Sequence, residues 1–350
     1  MKRRLLWIDV ARILATWGII CLHTRAVSYY EVDCFSATWL IICGWGEIVK
    51  WAVPVFIMIS GVLMIERDIP LKTLYGHNIG KLLGAKGVSC LTMFLIYVFY
   101  TLYFGGFSLA KCVKMAFMDN AMWFIFMMIG LYMIQPFLRI ICQKREMVEY
   151  FLILSIVFSI IFPLTEVISG FVGETIKNTY NSMYFYFTLG YITYFVLGHY
   201  LYKYCKEWKK IRILFVIAAI GSCFFNIFVD ASYIRYDKKW IQALHDQTIT
   251  IGTFVFSVSV FMIFILWEEE LNNFVKRYRL EAVIHHIGKN CIGIYVLHWP
   301  ILTVLSWVNV VPSKGTYLIG VPVETTLIFS SCFLCTLLWG KIPILCKVLG

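Results

Sequence analysis

RRLLWIDVARILATWGIICLHTRA, residues 3–26, decides what kind of molecule this is. The run is long enough to cross a bilayer, which takes about 20 apolar residues in a helix. It also carries Asp9, Arg12 and His23. Each ionisable group in a membrane helix costs at least ~2–3 kcal/mol unless it faces protein, water or a partner. Three on one helix therefore predict a lined cavity rather than a lipid-facing anchor. Arg12 and His23 stand eleven residues apart. That is close to three helical turns, so they share one stripe about 16 Å apart along the axis. Asp9 precedes Arg12 by three residues and can pair with it on the same face.

The rest of the chain extends the membrane reading. Of 350 residues, 61% are hydrophobic and 15% charged, with a mean hydropathy of +0.79. A soluble domain carries about 25% charged residues. The composition predicts an all-α, polytopic membrane protein. The net charge of +11 does not make a nucleic-acid surface, because the basic residues punctuate the ends of apolar runs. Most of the 12 cysteines sit in or beside those runs and read as small hydrophobes. Cys34 and Cys112 fall in expected outer loops, where a disulfide is open. The basic start and apolar run mimic a signal peptide, but Asp9 and Arg12 interrupt it and no small-residue cleavage site follows.

About ten spans fit one bundle: roughly 5–25, 38–65, 88–104, 121–141, 150–168, 184–205, 211–229, 248–267, 287–309 and 318–345. With both termini on the cytoplasmic side, 21 of the 31 Lys and Arg fall at the inner ends and loops and 8 outside. That asymmetry follows the positive-inside rule. The expected cytoplasmic loops, 67–87, 139–149, 203–212 and 268–290, are too short for a soluble catalytic domain. No linker, repeat or low-complexity tract divides residues 1–350, so a single domain is expected. The outer loops 29–37, 169–182 and 230–247 hold Tyr, Trp and Asp, which suit sugar contact or an interfacial aromatic belt.

Chemistry concentrates on a few side chains. His23 lies near the outer end of the first helix, and an imidazole there can serve as a general base. It can equally bond a headgroup or a loop carbonyl. Arg12 can hold phosphate oxygens bidentately, or snorkel to the inner headgroups with Asp9 as counter-ion. Glu47 and Lys50 form a second pair, and an ammonium this deep needs such a carboxylate. His285 and His286 are adjacent, point apart on a helix and make a poor metal pair. No phosphate-binding glycine loop, zinc-protease motif or serine elbow is present.

Four segments in order carry a resemblance. They are the RxxWIDxxR start with Arg12, ten residues, then His23; KWAVPVFIMISGVLM (50–64); MWFIFMMIGLYMIQPFLR (122–139); and IGIYVLHWPIL (292–302). The chain resembles the membrane-bound acyltransferase-3 family over most of its length. The resemblance implies O-acyl transfer, most often acetyl, from cytoplasmic acyl-coenzyme A to a hydroxyl of a cell-envelope glycan or its lipid-linked precursor, in the cell membrane. It implies His23 as catalytic residue and Arg12, Asp9 and Lys81 as donor contacts. It further implies Glu47, Lys50, Trp123, Tyr132 and His298 as substrate contacts, and no metal. Two departures stand out: Lys50 where Arg is usual, and His77, Lys81 and Lys86 in place of an Arg-x-x-Arg pair. The competing class is a transporter or flippase of a small substrate or glycan intermediate. The expected partners are the bilayer and the glycan, not nucleic acid, with a homo-oligomer left open.

Overall fold

Trp7, Ala11 and Ala15 are fully buried, and they draw the first helix, α1 (Leu6–Tyr29), into the middle of the bundle. The computed structural model describes residues 5–118, 123–167, 175, 178–179, 182, 190–236, 244–245, 249–307 and 316–341. After α1 come α2 (Ala37–Val49) and α3 (Ala52–Met64), which together form one 28-residue apolar span. Ser36 starts α2 by accepting the backbone N–H of Trp39 at 3.0 Å, which satisfies one of the orphan donors of the first turn. Next are α4 (Leu71–Phe104), α5 (Leu109–Met118), α6 (Trp123–Ile141), α7 (Arg145–Thr165) and α8 (Ile192–Tyr204). Then follow α9 (Arg212–Tyr236), α10 (Ile251–Leu266), α11 (Glu268–Arg277), α12 (Glu281–Lys289), α13 (Cys291–Trp307) and α14 (Tyr317–Trp339).

The protein is an all-α polytopic membrane protein, and no strand occurs among the described residues. Seven described helices are long and apolar enough to cross a membrane, or nine if each of two bent pairs is one span. The bent pairs are α10–α11, at 58°, and α12–α13, at 59°. The expected span 184–205 lies partly outside the described residues, with α8 its described part.

α1 packs against α2, α3, α12, α13 and α14, so most of its surface meets protein, with Leu14 left exposed. α3 and α8 come closer still. A Cβ on Gly61 would lie 1.8 Å from the carbonyl oxygen of Phe195, and one on Gly198 would lie 2.3 Å from that of Met58. Only the missing side chains let these backbones meet. Phe195 and Met58 are fully buried at this contact.

Three expected loops are corrected. Residues 71–87 are helical and belong to α4, which enters through a π-helical turn at Leu74–Ile79. Gly76, Gly80, Gly84 and Gly87 weaken the helical pattern in sequence, while packing supplies what propensity lacks. Residues 268–290 form α11 and α12 rather than a loop. α11 is held to the 3-10 turn Lys206–Ile211 and the first residue of α9 by three ion pairs: Lys206–Glu268 at 3.6 Å, Lys209–Glu269 at 2.8 Å, and Arg212–Glu270. Asp230 through Tyr236, expected in an outer loop, complete α9. Cys34 and Cys112 are free thiols, and Cys112 is buried on α5 against the Thr101 hydroxyl at 3.5 Å.

Candidate functional site

A two-lobed cavity opens beside α1. The first lobe, about 340 Å³, has Asp9, Arg12, Lys81 and Lys289 toward the end where α1 begins. It continues past Phe56, Phe124 and Met128 to Ile19 and Tyr295. The second lobe, about 570 Å³, shares Asp9, Arg12, Ser60 and Tyr132 and adds Glu66, Arg67 and Tyr202. Each cation arrives on a different element. α1 brings Arg12, the turn after α3 brings Arg67, α4 brings Lys81 just beyond its π-helical turn, and α12 brings Lys289.

Local bonds fix this geometry. Gln135 of α6, 1% exposed, donates to the carbonyl oxygens of Met64 at 2.9 Å and Arg67 at 3.0 Å. The Met64 carbonyl also accepts the Arg67 N–H at 3.1 Å, so Gln135 ties α6 to the turn that carries Arg67. Two acids nearby are paired, Glu66 of the second lobe with Lys203 at 2.8 Å and Asp68 with Arg139 at 3.1 Å. The mouth therefore keeps an excess of positive charge, a setting that favours a phosphorylated ligand.

The inner end of the first lobe stops one helical turn short of two imidazoles. His23 follows Ile19 by four residues on α1, and His298 follows Tyr295 by three on α13. Their ring centres are 5.2 Å apart, and Trp299 meets His23 edge-on at 5.1 Å. Tyr295 links cavity to imidazole, with its ring 5.6 Å from Phe124 and 5.3 Å from His298.

The expected residues thus fall into groups. Asp9, Arg12, Lys81 and Tyr132 line the cavity. His23 and His298 form a pair just beyond it. Trp123, at the start of α6, stacks on Tyr191 at 5.3 Å and lines neither lobe. Lys50 and Glu47 bond each other at 2.9 Å, also away from both lobes. His77 and Lys86, offered as loop cations, line neither lobe. Arg67 and Lys289 were not singled out in the sequence, whereas Ser60 and Tyr295 lie in two of the segments that carry the resemblance. Arg67 and Lys289 read there as ordinary loop charges, and nothing in the string signals that α3 and α12 end at one cavity.

A second polar centre lies on the α2 side of α1. Asp230, 4% exposed, accepts from the Tyr29 hydroxyl at 2.8 Å and the Cys43 thiol at 3.2 Å. Nδ1 of His245 stands 2.7 Å from its other oxygen, and the His245 ring stacks on Tyr233 at 4.1 Å. The Arg25 guanidinium lies 4.4 Å over the Tyr29 ring. Among the described residues no group of three or more His, Cys, Asp or Glu could hold a metal ion.

Fold and cavity together define a membrane protein with a charged, phosphate-suited entrance leading toward a half-buried imidazole, His23, and a buried one, His298. The family described as an acyltransferase domain, the acyltransferase-3 family, matches residues 5–340. The chain belongs to that family. No curated protein and no solved structure matches it.

Proposed function

We propose that this acyltransferase moves an acyl group, acetyl in the first instance, from cytoplasmic acyl-coenzyme A to a hydroxyl of a cell-envelope glycan or its lipid-linked precursor. The observation that carries the reading is the continuity of the cavity. Four cations gather at its mouth, aromatic and apolar walls follow, and it ends one turn from His23. A nucleotide diphosphate suits Arg12, Arg67, Lys81 and Lys289, with Asp9 offsetting part of their charge. The pantetheine arm, slim and mostly apolar, suits the passage that runs past Phe56, Phe124 and Met128.

In this reading His23 takes the proton of the acceptor hydroxyl as its oxygen attacks the thioester carbonyl. The tetrahedral intermediate collapses, the carbon–sulfur bond breaks, and the thiolate of coenzyme A leaves and regains a proton. General-base action of this kind is worth roughly 10²–10⁴ in rate. Tyr132 is a donor contact. Glu47, Lys50 and Trp123 stand apart from the donor cavity and are left for the acceptor side. Both termini face the cytoplasm of the cell membrane.

The test is purified protein in liposomes with acetyl-coenzyme A labelled in its acetyl group and an envelope glycan as acceptor. Label should be recovered as an alkali-labile ester on the glycan. Label or glycan crossing the bilayer with no ester formed would replace this reading with transport.

A further inference from the structure

His298 is fully buried, and its Nδ1 bonds the main-chain carbonyl oxygen of Tyr295. A carbonyl oxygen only accepts, so this bond requires the proton on Nδ1. A charged imidazole at such a site would carry the cost of burying an unpaired charge. The neutral ring has one N–H, so its Nε2 is a bare acceptor. That Nε2 is itself buried and has no hydrogen-bond partner among the described residues. A buried polar atom of this kind calls for a donor.

The neighbour that can supply one is His23. The two rings lie 5.2 Å apart and tilted by 36°, while Trp299 closes another side of His23 at 5.1 Å and 73°. The two nitrogens are not bonded here; a modest turn of the His23 ring, or one bridging water, joins them. Catalytic hydrogen bonds are often long before substrate binds and tighten afterwards.

We propose that His298 is the positioning residue of His23: its Nε2 accepts the N–H of one His23 nitrogen and leaves the other bare toward the acceptor. The proposal rests on the reading of His23 as base. Its chemical content is the assignment of two tautomers, each set by the bond the next group can make. The Tyr295 carbonyl sets that of His298, and His298 sets that of His23. Neutral imidazole has one proton for two nitrogens, so an unheld His23 would present the protonated nitrogen to the acceptor part of the time. His298 would then be a neighbour of the base, and not a substrate contact.

Two variants and one spectrum test this. Glutamine at the position can place an amide oxygen close to where Nε2 lies, whereas leucine offers no acceptor. His298→Leu should lower kcat by about 10- to 100-fold, the scale on which loss of a group that orients a histidine is felt. KM for acetyl-coenzyme A should be unchanged, and His298→Gln should recover most of kcat. Nitrogen-15 spectra of histidine-labelled protein in nanodiscs should show His298 protonated at Nδ1 and bare at Nε2. They should also show one His23 tautomer in the wild type and a mixture in His298→Leu. Wild-type kcat in His298→Leu, a change confined to KM, or an Nε2-protonated His298 would each overturn the assignment. If the wild type transfers no acyl group, the proposed function fails instead, and the spectrum alone decides the pair.

Discussion

Arg12 is the residue at which charge and shape meet. Its guanidinium lies at the junction of both lobes, and Thr16 anchors the helix there by donating to the Arg12 carbonyl at 2.8 Å. If it grips a diphosphate through two parallel N–H bonds, a point-charge ammonium cannot replace it. Arg12→Lys should therefore weaken acyl-coenzyme A binding by about tenfold or more in a titration, since charge-assisted bonds are worth ~1.5–3 kcal/mol. Equal affinity would make Arg12 a counter-ion of Asp9 and nothing more. Asp230 gives a second prediction, on stability. Asp230→Ala strands three groups at once, those of Tyr29, Cys43 and His245. Tyr29→Phe removes one donor and leaves the others in place. Thermal unfolding in detergent should show the alanine variant as clearly the less stable of the two, the tyrosine change costing about 1–3 kcal/mol. Arg12, Asp9 and His23 were legible in sequence because a charge in an apolar run is conspicuous. The Asp230 centre was not, because Tyr29 and Asp230 are 201 residues apart and each alone is an ordinary interfacial residue.

At the scale of elements, the α3–α8 contact depends on two glycines more than on any large side chain. Gly61→Ala and Gly198→Ala each drive a Cβ into a backbone carbonyl, which no rotamer change can relieve. Each should destabilise by about 1–3 kcal/mol or more, as overpacking does. Gly130→Ala in α6, where a Cβ meets nothing within 4 Å, should be neutral or slightly stabilising. Similar losses for all three would mean that helix propensity, and not backbone approach, is what glycine supplies. The Ser-Gly pair at 60–61 was visible as part of a family segment, but its physical role needed Phe195 beside it. Helix boundaries were hardest to read where glycine diluted the pattern. The base of α4, with Lys81 on it, reads in sequence as a loop for that reason, and the structure makes it helix. Charge misled in the same way at α11 and α12, where Glu269, Glu270 and Glu281 are exposed while Val275 and Gly288 are buried.

For the whole molecule, the apolar runs made the all-helical membrane architecture plain, since a bilayer leaves few other ways to satisfy the backbone. The basic residues predict an orientation with both termini inside, and it is open to direct trial. A cysteine introduced at exposed Lys111 should react with an impermeant maleimide added outside intact cells, and one at Lys209 should react only after permeabilisation. The reverse would turn the bundle over and put the cation-lined mouth on the wrong side for a cytoplasmic donor. What sequence could not give was convergence: that the ends of α3, α4 and α12 meet Arg12 at one cavity, and that His298 stands beside His23. The proposed transfer depends on His23 as the base one helical turn beyond the inner end of that cavity. The direct measurement is the rate of acetyl transfer to glycan by His23→Gln at matched protein levels in membranes. Glutamine keeps the size and the hydrogen bonding but cannot exchange a proton near neutral pH. The account predicts a rate lower by about 10²–10⁴, equivalent to about 2.7–5.4 kcal/mol of transition-state stabilisation, with acyl-coenzyme A binding retained through Arg12. A glutamine variant that keeps most of the wild-type rate would contradict it.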